Sequence, residues 1–306
     1  MFTFVKDMND GKKIPNYSID GVGGRSQDGD ALMAMRFGEY LATRNYLFRP
    51  HRHSFYHMVF FTRGAGRHSI DFIHYPVRPG QIYFMNPGQV HNWEFEGEVD
   101  GYIVNFTARH FQMMLSSTAY LERFAFFSGR SAEQVVDLPA AVWADMESLF
   151  GRVVKEAGGR AAHTEDMILA LLMQLFVTVS RAQGGIESGG TAKPGALVLR
   201  NFRRLVEEHF MAKRLPKDYA AMLYVTPNYL NALCKDILGV AAGEVIRERV
   251  LLEAKRLLVN GGLSITEIAY QLNFQDNSYF SKFFKKYTDT TPEEFRRLYH
   301  VTVHNQ

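Results

Sequence analysis

The chain has 306 residues, 46% of them hydrophobic, a formal net charge of +3 and one cysteine, Cys234. That length exceeds what one core ordinarily serves, so two domains are expected, and a lone cysteine excludes an internal disulfide and fits a reducing compartment. The longest apolar run, "MILALLMQLFVTV", falls short of the roughly 18 residues of a membrane span and is broken by Gln174, and the charged opening "MFTFVKDMNDGKK" lacks a secretory pattern. A cytoplasmic protein without membrane contact is expected.

In chain order, residues 43 to 107 read as strands: "FYHMVFFT" is aromatic and β-branched, "GAG" reads as a turn, "RHSIDFIHY" alternates, and "PVRPGQ" and "NPGQ" punctuate around "QIYFMN" before "VDGYIVNF". Short strands at this spacing predict a small barrel or sandwich. From about residue 109 the pattern becomes helical, with amphipathic helices in "AAVWADMESLFGRVVKEA" and "TEDMILALLMQLFVTVSRAQ"; Trp143 and the methionines there are expected to pack helices. The Gly, Ser and Pro of "GGIESGGTAKPG" predict a linker over 184–195, separating a first domain, 1–183, from a helical one, 196–306. The basic excess lies in the last part: from residue 196 there are 16 Lys plus Arg against 12 Asp plus Glu, leaving 19 against 20 before it. That is weak support for a polyanionic partner. Cys234 reads as a small buried residue.

The helical part repeats itself at an offset of 50, aligning Tyr229 and Leu230 with Tyr279 and Phe280, Lys235 with Lys285, Glu244 with Glu294 and Arg247 with Arg297. In the second copy, Ser264 and Glu267 form a capping box that starts a helix at Ile265; Asn273 tolerates the left-handed exit, and Asp276 caps the next helix. Along that helix Tyr279, Phe280, Phe283, Phe284 and Tyr287 share one face, and Asn277, Ser278, Ser281, Lys282 and Lys285 the other. Thr291, Pro292 and Glu294 cap a bracing helix. In the first copy Thr226 and Pro227 open "TPNYLNALCKD", with Leu230, Leu233 and Ile237 inward and Asn228, Asn231 and Lys235 outward. The joining segment "GEVIRERVLLEAKRLLVN" predicts a helix of roughly 27 Å whose stripe Ile246, Val250, Ala254 and Leu257 rests on both copies. Two short helices at a sharp angle, the second apolar inside and polar outside, form a helix-turn-helix, a shape that fits the major groove.

Residues from about 196 to 299 resemble the DNA-binding domain of the AraC/XylS transcription regulators, most closely over "SITEIAYQLNFQDNSYFSKFFKKYTDTTPEEFR". The resemblance implies base-reading positions at Asn228, Asn231 and Ala232 in the first unit, with Lys235 beside them, and DNA-facing positions at Asp276, Asn277, Ser278, Ser281 and Lys282 in the second, with Lys285 beside them. Ala232 offers only a methyl group, suited to thymine methyls, and Tyr224 and Asn273 stand where the family has turn glycines.

The stretch "HRHSFYHMVFFTRG" has histidines at positions 51, 53 and 57, which share parity and so one strand face, and "GQIYFMNPGQVH" ends on His91. These resemble the two motifs of a cupin, the small β-barrel that AraC-type regulators use to sense effectors, with His57 where a glutamate is usual. Three uses remain open: a metal held by the four imidazoles, an effector held by His51, His53, His57, His91, Tyr56, Tyr83 and Trp93, or neither. His68, His74 and His110 read as scattered surface or core residues.

The expected fold is α+β: a cupin-like β-barrel with trailing helices, then an all-α domain of two helix-turn-helix units on a linker helix. The expected function is a sequence-specific transcription regulator, an activator controlled by a small-molecule effector in the barrel, with no enzymatic activity and no cofactor. The expected partners are double-stranded promoter DNA, the effector, a second copy through helices between 141 and 182, and RNA polymerase. The alternative is a metal-dependent cupin enzyme fused to a DNA-binding tail.

Overall fold

The computed structural model describes residues 14–22, 25–27, 30–109, 118–129, 131–184, 195–259 and 262–302. The chain divides into two compact units, one over Pro15–Ile186 and one over Glu187–Gln306. Residues 185–194 of the expected linker, and His110, lie outside the described residues. Among the described residues no helix is long and apolar enough to cross a membrane.

The first unit is built on one nine-stranded sheet, comprising β1 Asn16–Tyr17, β2 Arg25–Gln27, β3 Asp30–Arg36, β4 His51–His53, β5 Tyr56–Ile70, β6 Ile73–Val77, β7 Gln81–Met85, β8 Val90–Phe106 and β9 Val135–Asp137. Its spine is the antiparallel pair of long strands β5 and β8. The near end of the pair, Tyr56–Phe61 against Gly101–Phe106, is flanked by β7 and β3; the far end, Ala65–Ile70 against His91–Glu96, is flanked by β6 and β4. Pairing runs from β1 to β9 through this spine.

Two expectations are corrected here. "GAG" does not turn the chain: Gly64 and Gly66 lie inside β5 at φ of 120° and 138°, where the register with β8 shifts twice. A side chain at Gly66 would strike the backbone of Glu94, and one at Gly101 the carbonyl of Phe60, so glycine permits the close crossing. The reversal falls within "RHSIDFIHY", at Asp71 and Phe72, both with positive φ, between the paired Ile70 and Ile73. That two-residue turn has the left-handed geometry that hairpins favour but not the glycine that usually marks it.

Alternation then sends the two faces of the sheet into different cores. Met58, Phe60, Ile82, Phe84, Tyr102, Val104 and Phe106 meet Phe150 and Phe176 of two helices, while Val59, Phe61, Tyr83, Met85 and Ile103 join a second core with Phe37, Tyr40 and Trp93. Helix α1, Phe37–Ala42, covers the second core; α2 is Ser131–Gln134; α3, Trp143–Gly158, and α4, Thr164–Ala182, cover the first. The periodicity of α3 and α4 is explained by this packing: Met146, Leu149, Phe150 and Val153 of one and Leu172, Leu175, Phe176 and Val179 of the other are buried.

Among its described residues the second unit has only helices: α5 Ala196–His209, α6 Pro216–Met222, α7 Pro227–Leu238, α8 Ala242–Val259, α9 Ile265–Gln271, α10 Asn277–Thr288 and α11 Pro292–Thr302. The expected caps are present. The hydroxyl of Thr226 accepts from Tyr229 N–H at 3.2 Å and the carboxylate of Asp276 from Tyr279 N–H at 2.7 Å. Ser264 and Glu267 satisfy each other's backbone N–H groups, and Thr291 and Glu294 do likewise. Each such cap contributes about 1 kcal/mol. Ile246, Val250, Ala254 and Leu257 of α8 are all buried. Cys234 is buried as well, and burial pushes its thiol up to about 11. Arginines tie the helices together: Arg214 donates to the carbonyl of Leu272 and lies over the Phe274 ring, Arg249 reaches Glu207, and Arg296 donates to the carbonyls of Leu258 and Leu263.

Candidate functional sites

The helical unit presents two similar edges. In α10, Phe280 and Phe284 are fully buried, and Asn277, Ser278, Lys282 and Lys285 are exposed on other faces. The aromatic stripe is narrower than the sequence predicts: Phe283 is half-buried, and Tyr279 and Tyr287 are 59% and 41% exposed, because the partner helices cover only the Phe280–Phe284 line. In α7, Leu230, Leu233 and Cys234 are buried while Asn228, Ala232 and Lys235 are exposed. The repeat is structural: Thr226 and Asp276 cap at an offset of 50, Gly239 and Asp289 end their helices in the left-handed conformation at the same offset, and Ala242 and Pro292 begin the next helices. The turn exits Tyr224 and Asn273, at φ of 57° and 59°, are 49 apart, so the second turn holds one more residue before its cap.

Some of the residues expected to face DNA already have work inside the fold. Asn231 is half-buried, not outward, and its side-chain oxygen accepts from the Ala242 N–H at 3.2 Å, fixing the start of α8. Asp276 is committed to its cap, and the Asn277 amide donates to Thr266 Oγ1 at 3.2 Å. Ser281 is half-buried. Lys235, Lys282 and Lys285 remain exposed, the arrangement that meets phosphates.

The histidines of the sheet unit converge. His51 and His53 come from β4, His57 from the start of β5 and His91 from β8, directly opposite His51 in register. All four are buried. Nε2 of His53 and Nε2 of His91 lie 2.7 Å apart, and the ring centres of His51 and His91 are separated by 4.1 Å. Trp93 joins them, its ring 4.9 Å from that of His91. A fifth imidazole, missed by the sequence reading, completes the group: His68 is fully buried, with Nε2 2.9 Å from Nδ1 of His91. Simple alternation puts His68 on the face opposite His57, eleven residues earlier; the bulged bend at Gly64–Gly66 reverses the phase, and the two glycines were the only local sign of it.

Tyr83 lies on the same face, its ring 4.8 Å from that of His68, with its hydroxyl donating to the Pro76 carbonyl. Tyr56 does not belong to the group. As the neighbour of His57 it points to the other face, stacks on Phe106 and packs against Phe127, so its expected role as an effector contact is withdrawn. His74 is exposed and bonded to Ser69.

Burial governs the chemistry of the cluster. It lowers His51 to about 4 and His57 to about 3, and holds His53, His68 and His91 well below the usual histidine value, so all five rings are neutral near pH 7. The site is stiffened from below by Asp71, whose carboxylate accepts from Gln89 Nε2 at 2.7 Å and from the N–H of Val90, the residue before His91; Gln89 in turn exchanges hydrogen bonds with Gln134 of α2. The imidazoles pack ring to ring. A groove of about 620 Å³ lies elsewhere, lined by Gly66, Arg67, Tyr75, Glu94 and neighbouring residues, with none of the five clustered histidines.

A sheet domain with an inward-facing cluster, followed by tandem helix-turn-helix units, is the build of a ligand-regulated transcription factor. Residues 36–176 match the family description "AraC-like ligand binding domain", and residues 219–298 match "Helix-turn-helix domain". The chain belongs to the AraC/XylS family of transcription regulators. It is 30% identical over 110 residues to the HTH-type regulator YijO of Escherichia coli, covering 36% of this chain and 39% of that one. It is 35% identical over 128 residues to the regulatory protein YesN of Bacillus subtilis, covering 40% and 33%. These two matches thus span only about a third to two fifths of the relatives' length. The arabinose operon regulatory protein of Salmonella typhimurium is 23% identical over 239 residues, covering 76% of this chain and 80% of that protein.

Proposed function

We propose that this chain is a cytoplasmic transcription activator that grips promoter DNA with α7 and α10 and is controlled by a ligand in the sheet unit. The observation that carries the DNA-binding reading is the repeated unit in which buried Leu230 or Phe280 sits beneath an exposed edge bearing Lys235 or Lys282 and Lys285. On that reading Asn228, Ala232, Asn277 and Ser278 meet base edges and the lysines meet phosphates. Asn231 and Asp276 act by holding the helices that present them. His51, His53, His57, His68, His91, Tyr83 and Trp93 form the ligand-holding interior. A second copy and RNA polymerase complete the working assembly, and the chain carries out no chemistry of its own.

A ligand switches such a protein only if it binds the DNA-competent and incompetent arrangements with different affinity. The test is a salt series of DNA binding by the full chain to fragments upstream of its own gene. Lys282→Ala and Lys285→Ala should weaken binding across all sequences and lower the salt slope by about 1 each, whereas Asn228→Ala should change preference at one base position. An unchanged slope in both lysine variants overturns the placement of α10 on DNA.

A further inference from the structure

We propose that Thr266, at the start of α9, is a positioning residue that fixes the exposed amide of Asn277, at the start of α10, so that it reads adenine and refuses guanine. The inference rests on the reading of α10 as a recognition helix and names a specificity determinant within it.

The ground is a pair of side-chain hydrogen bonds at the tip of the second helix-turn-helix. Nδ2 of Asn277 donates to Oγ1 of Thr266 at 3.2 Å, and the hydroxyl of Ser278 donates to Oδ1 of the same amide at 3.3 Å. All three residues are exposed, Thr266 in the first turn of α9 and Asn277 and Ser278 in the first turn of α10. Thr266 stands on a stiff base, because it lies inside the capping box that Ser264 and Glu267 form around it. A side-chain amide has two N–H donors on nitrogen and two lone pairs on oxygen. With one of each engaged, and no other partner among the described residues, Asn277 keeps one donor and one acceptor for whatever meets the tip.

The first residues of a recognition helix are those that reach base edges in the major groove. Adenine presents there an acceptor at N7 beside a donor at N6, the complement of the pair that Asn277 has left. Guanine presents two acceptors, N7 and O6, which an unrestrained amide can approach with both N–H groups. Held by Thr266, the amide offers guanine one donor and sets a lone pair against the second acceptor. The hydroxyl of Thr266 thus decides which purine fits.

The bond is not needed to build the turn. The first helix-turn-helix makes the same reversal with Lys217 and Pro227 in the corresponding places, since buried Ala220 matches Ala269 and Tyr224 matches Asn273 at an offset of 49, while the caps Thr226 and Asp276 match at 50. Proline has no side-chain donor or acceptor, so no such contact forms there. The second turn is held instead by buried Leu272, Phe274 and Phe280, the rings of the last two being 5.2 Å apart. An exposed bond adds little to such a core; its effect falls on the amide, whose rotation it restricts before DNA arrives. The asparagines of the two recognition helices therefore differ in kind: Asn231 braces the start of α8, whereas Asn277 is itself braced and left open.

The experiment is binding-site selection by the full chain from a library of randomised DNA duplexes, followed by affinities for the selected duplex and its single-base-pair variants. Asn277→Ala locates the pair that the amide reads, as the position where preference relaxes. There the parent should favour adenine over guanine by about ten-fold or more. Thr266→Val, which keeps the shape and removes the hydroxyl, should cut that ratio by about two- to ten-fold, leave the ratios at other pairs and the salt slope unchanged, and melt with the parent. Thr266→Ser should restore it. The proposal is overturned if Thr266→Val keeps the parent's ratio, if it weakens binding to every duplex alike as a merely structural tie would, if Asn277→Ala relaxes no position, or if the base read there is not adenine. A parent that selects no sequence overturns the placement of α10 on DNA and this inference with it, whereas a parent whose selected site Thr266→Val reads identically sinks this inference alone.

Discussion

The two units handle polar side chains in opposite ways. In the sheet unit the imidazoles of His51, His53, His57, His68 and His91 are turned into the buried interior, whereas in the helical unit Asn228, Lys235, Asn277, Lys282 and Lys285 stand on the surface over a buried line of Leu230, Phe280 and Phe284. Burying polar atoms is costly and demands a defined occupant, so an inner site is selective and coupled to stability. An outer edge on an aromatic base costs the fold little, so its specificity can change without unfolding the protein. The comparison predicts that one unit is sensitive to solution chemistry and the other to truncation of its core.

The largest expected effect is that of acid on the sheet unit. Burial depresses the folded-state values of the five histidines below the ordinary 6.5, so on acidification the unfolded chain takes up protons that the folded chain refuses. The stabilisation is therefore complete above about pH 6.5 and is lost progressively as pH falls below it towards the depressed folded-state values. Both tryptophans, Trp93 and Trp143, lie in this unit, so denaturant unfolding followed by their fluorescence between pH 7.5 and 5 reads it directly. A transition that stays put across that range removes the contrast between the units.

Next in size, Phe280→Ala or Phe284→Ala should cost the helical unit about 3–5 kcal/mol in urea denaturation, because each deletes a fully buried ring. Tyr279→Ala, one residue along and 59% exposed, should cost well under about 1 kcal/mol. Equal losses at Tyr279 and Phe280 would mean the helix is turned differently. Thr226→Ala and Asp276→Ala should each lower stability by about 1 kcal/mol through loss of the N-cap, read as a shift in denaturation midpoint at constant slope. The smallest effect has the opposite sign. Tyr224 is 95% exposed in a left-handed conformation, so Tyr224→Gly should stabilise by about 0.5–1 kcal/mol, while Asn273→Gly should change little, since asparagine tolerates that conformation.

The helical unit was the more legible of the two in the sequence because its signals are local. Ser264 and Glu267, or Thr226 and Pro227, announce a helix start within four residues, and the offset of 50 lets one copy check the other. What escaped there was long-range: the hydrogen bond from Ala242 to Asn231 joins residues eleven apart and turns an expected base reader into a brace. In the sheet unit the strands of residues 51 to 106 were visible as runs, but β1, β3 and β9 are short or weakly patterned and gain their places by pairing with distant strands, and the three-residue β2 pairs only with β3. Parity grouped His51, His53 and His57, the resemblance to a second cupin motif added His91, and the same parity hid His68. Tyr56 needed only stricter use of alternation beside His57; His68 needed knowledge of a bulge that two glycines merely hint at.

That bulge gives the hairpin a reading frame. Inward side chains of β5 are odd-numbered through Phe61 and even-numbered from His68, so a single-residue deletion between them would turn His68 and Ile70 outward and draw Arg67 and Ser69 inside. Thr62, Arg63 and Ala65 are at least partly exposed and their identities can drift, yet their number cannot. Descendants of this chain should accordingly vary in spelling across the bend while keeping its length constant.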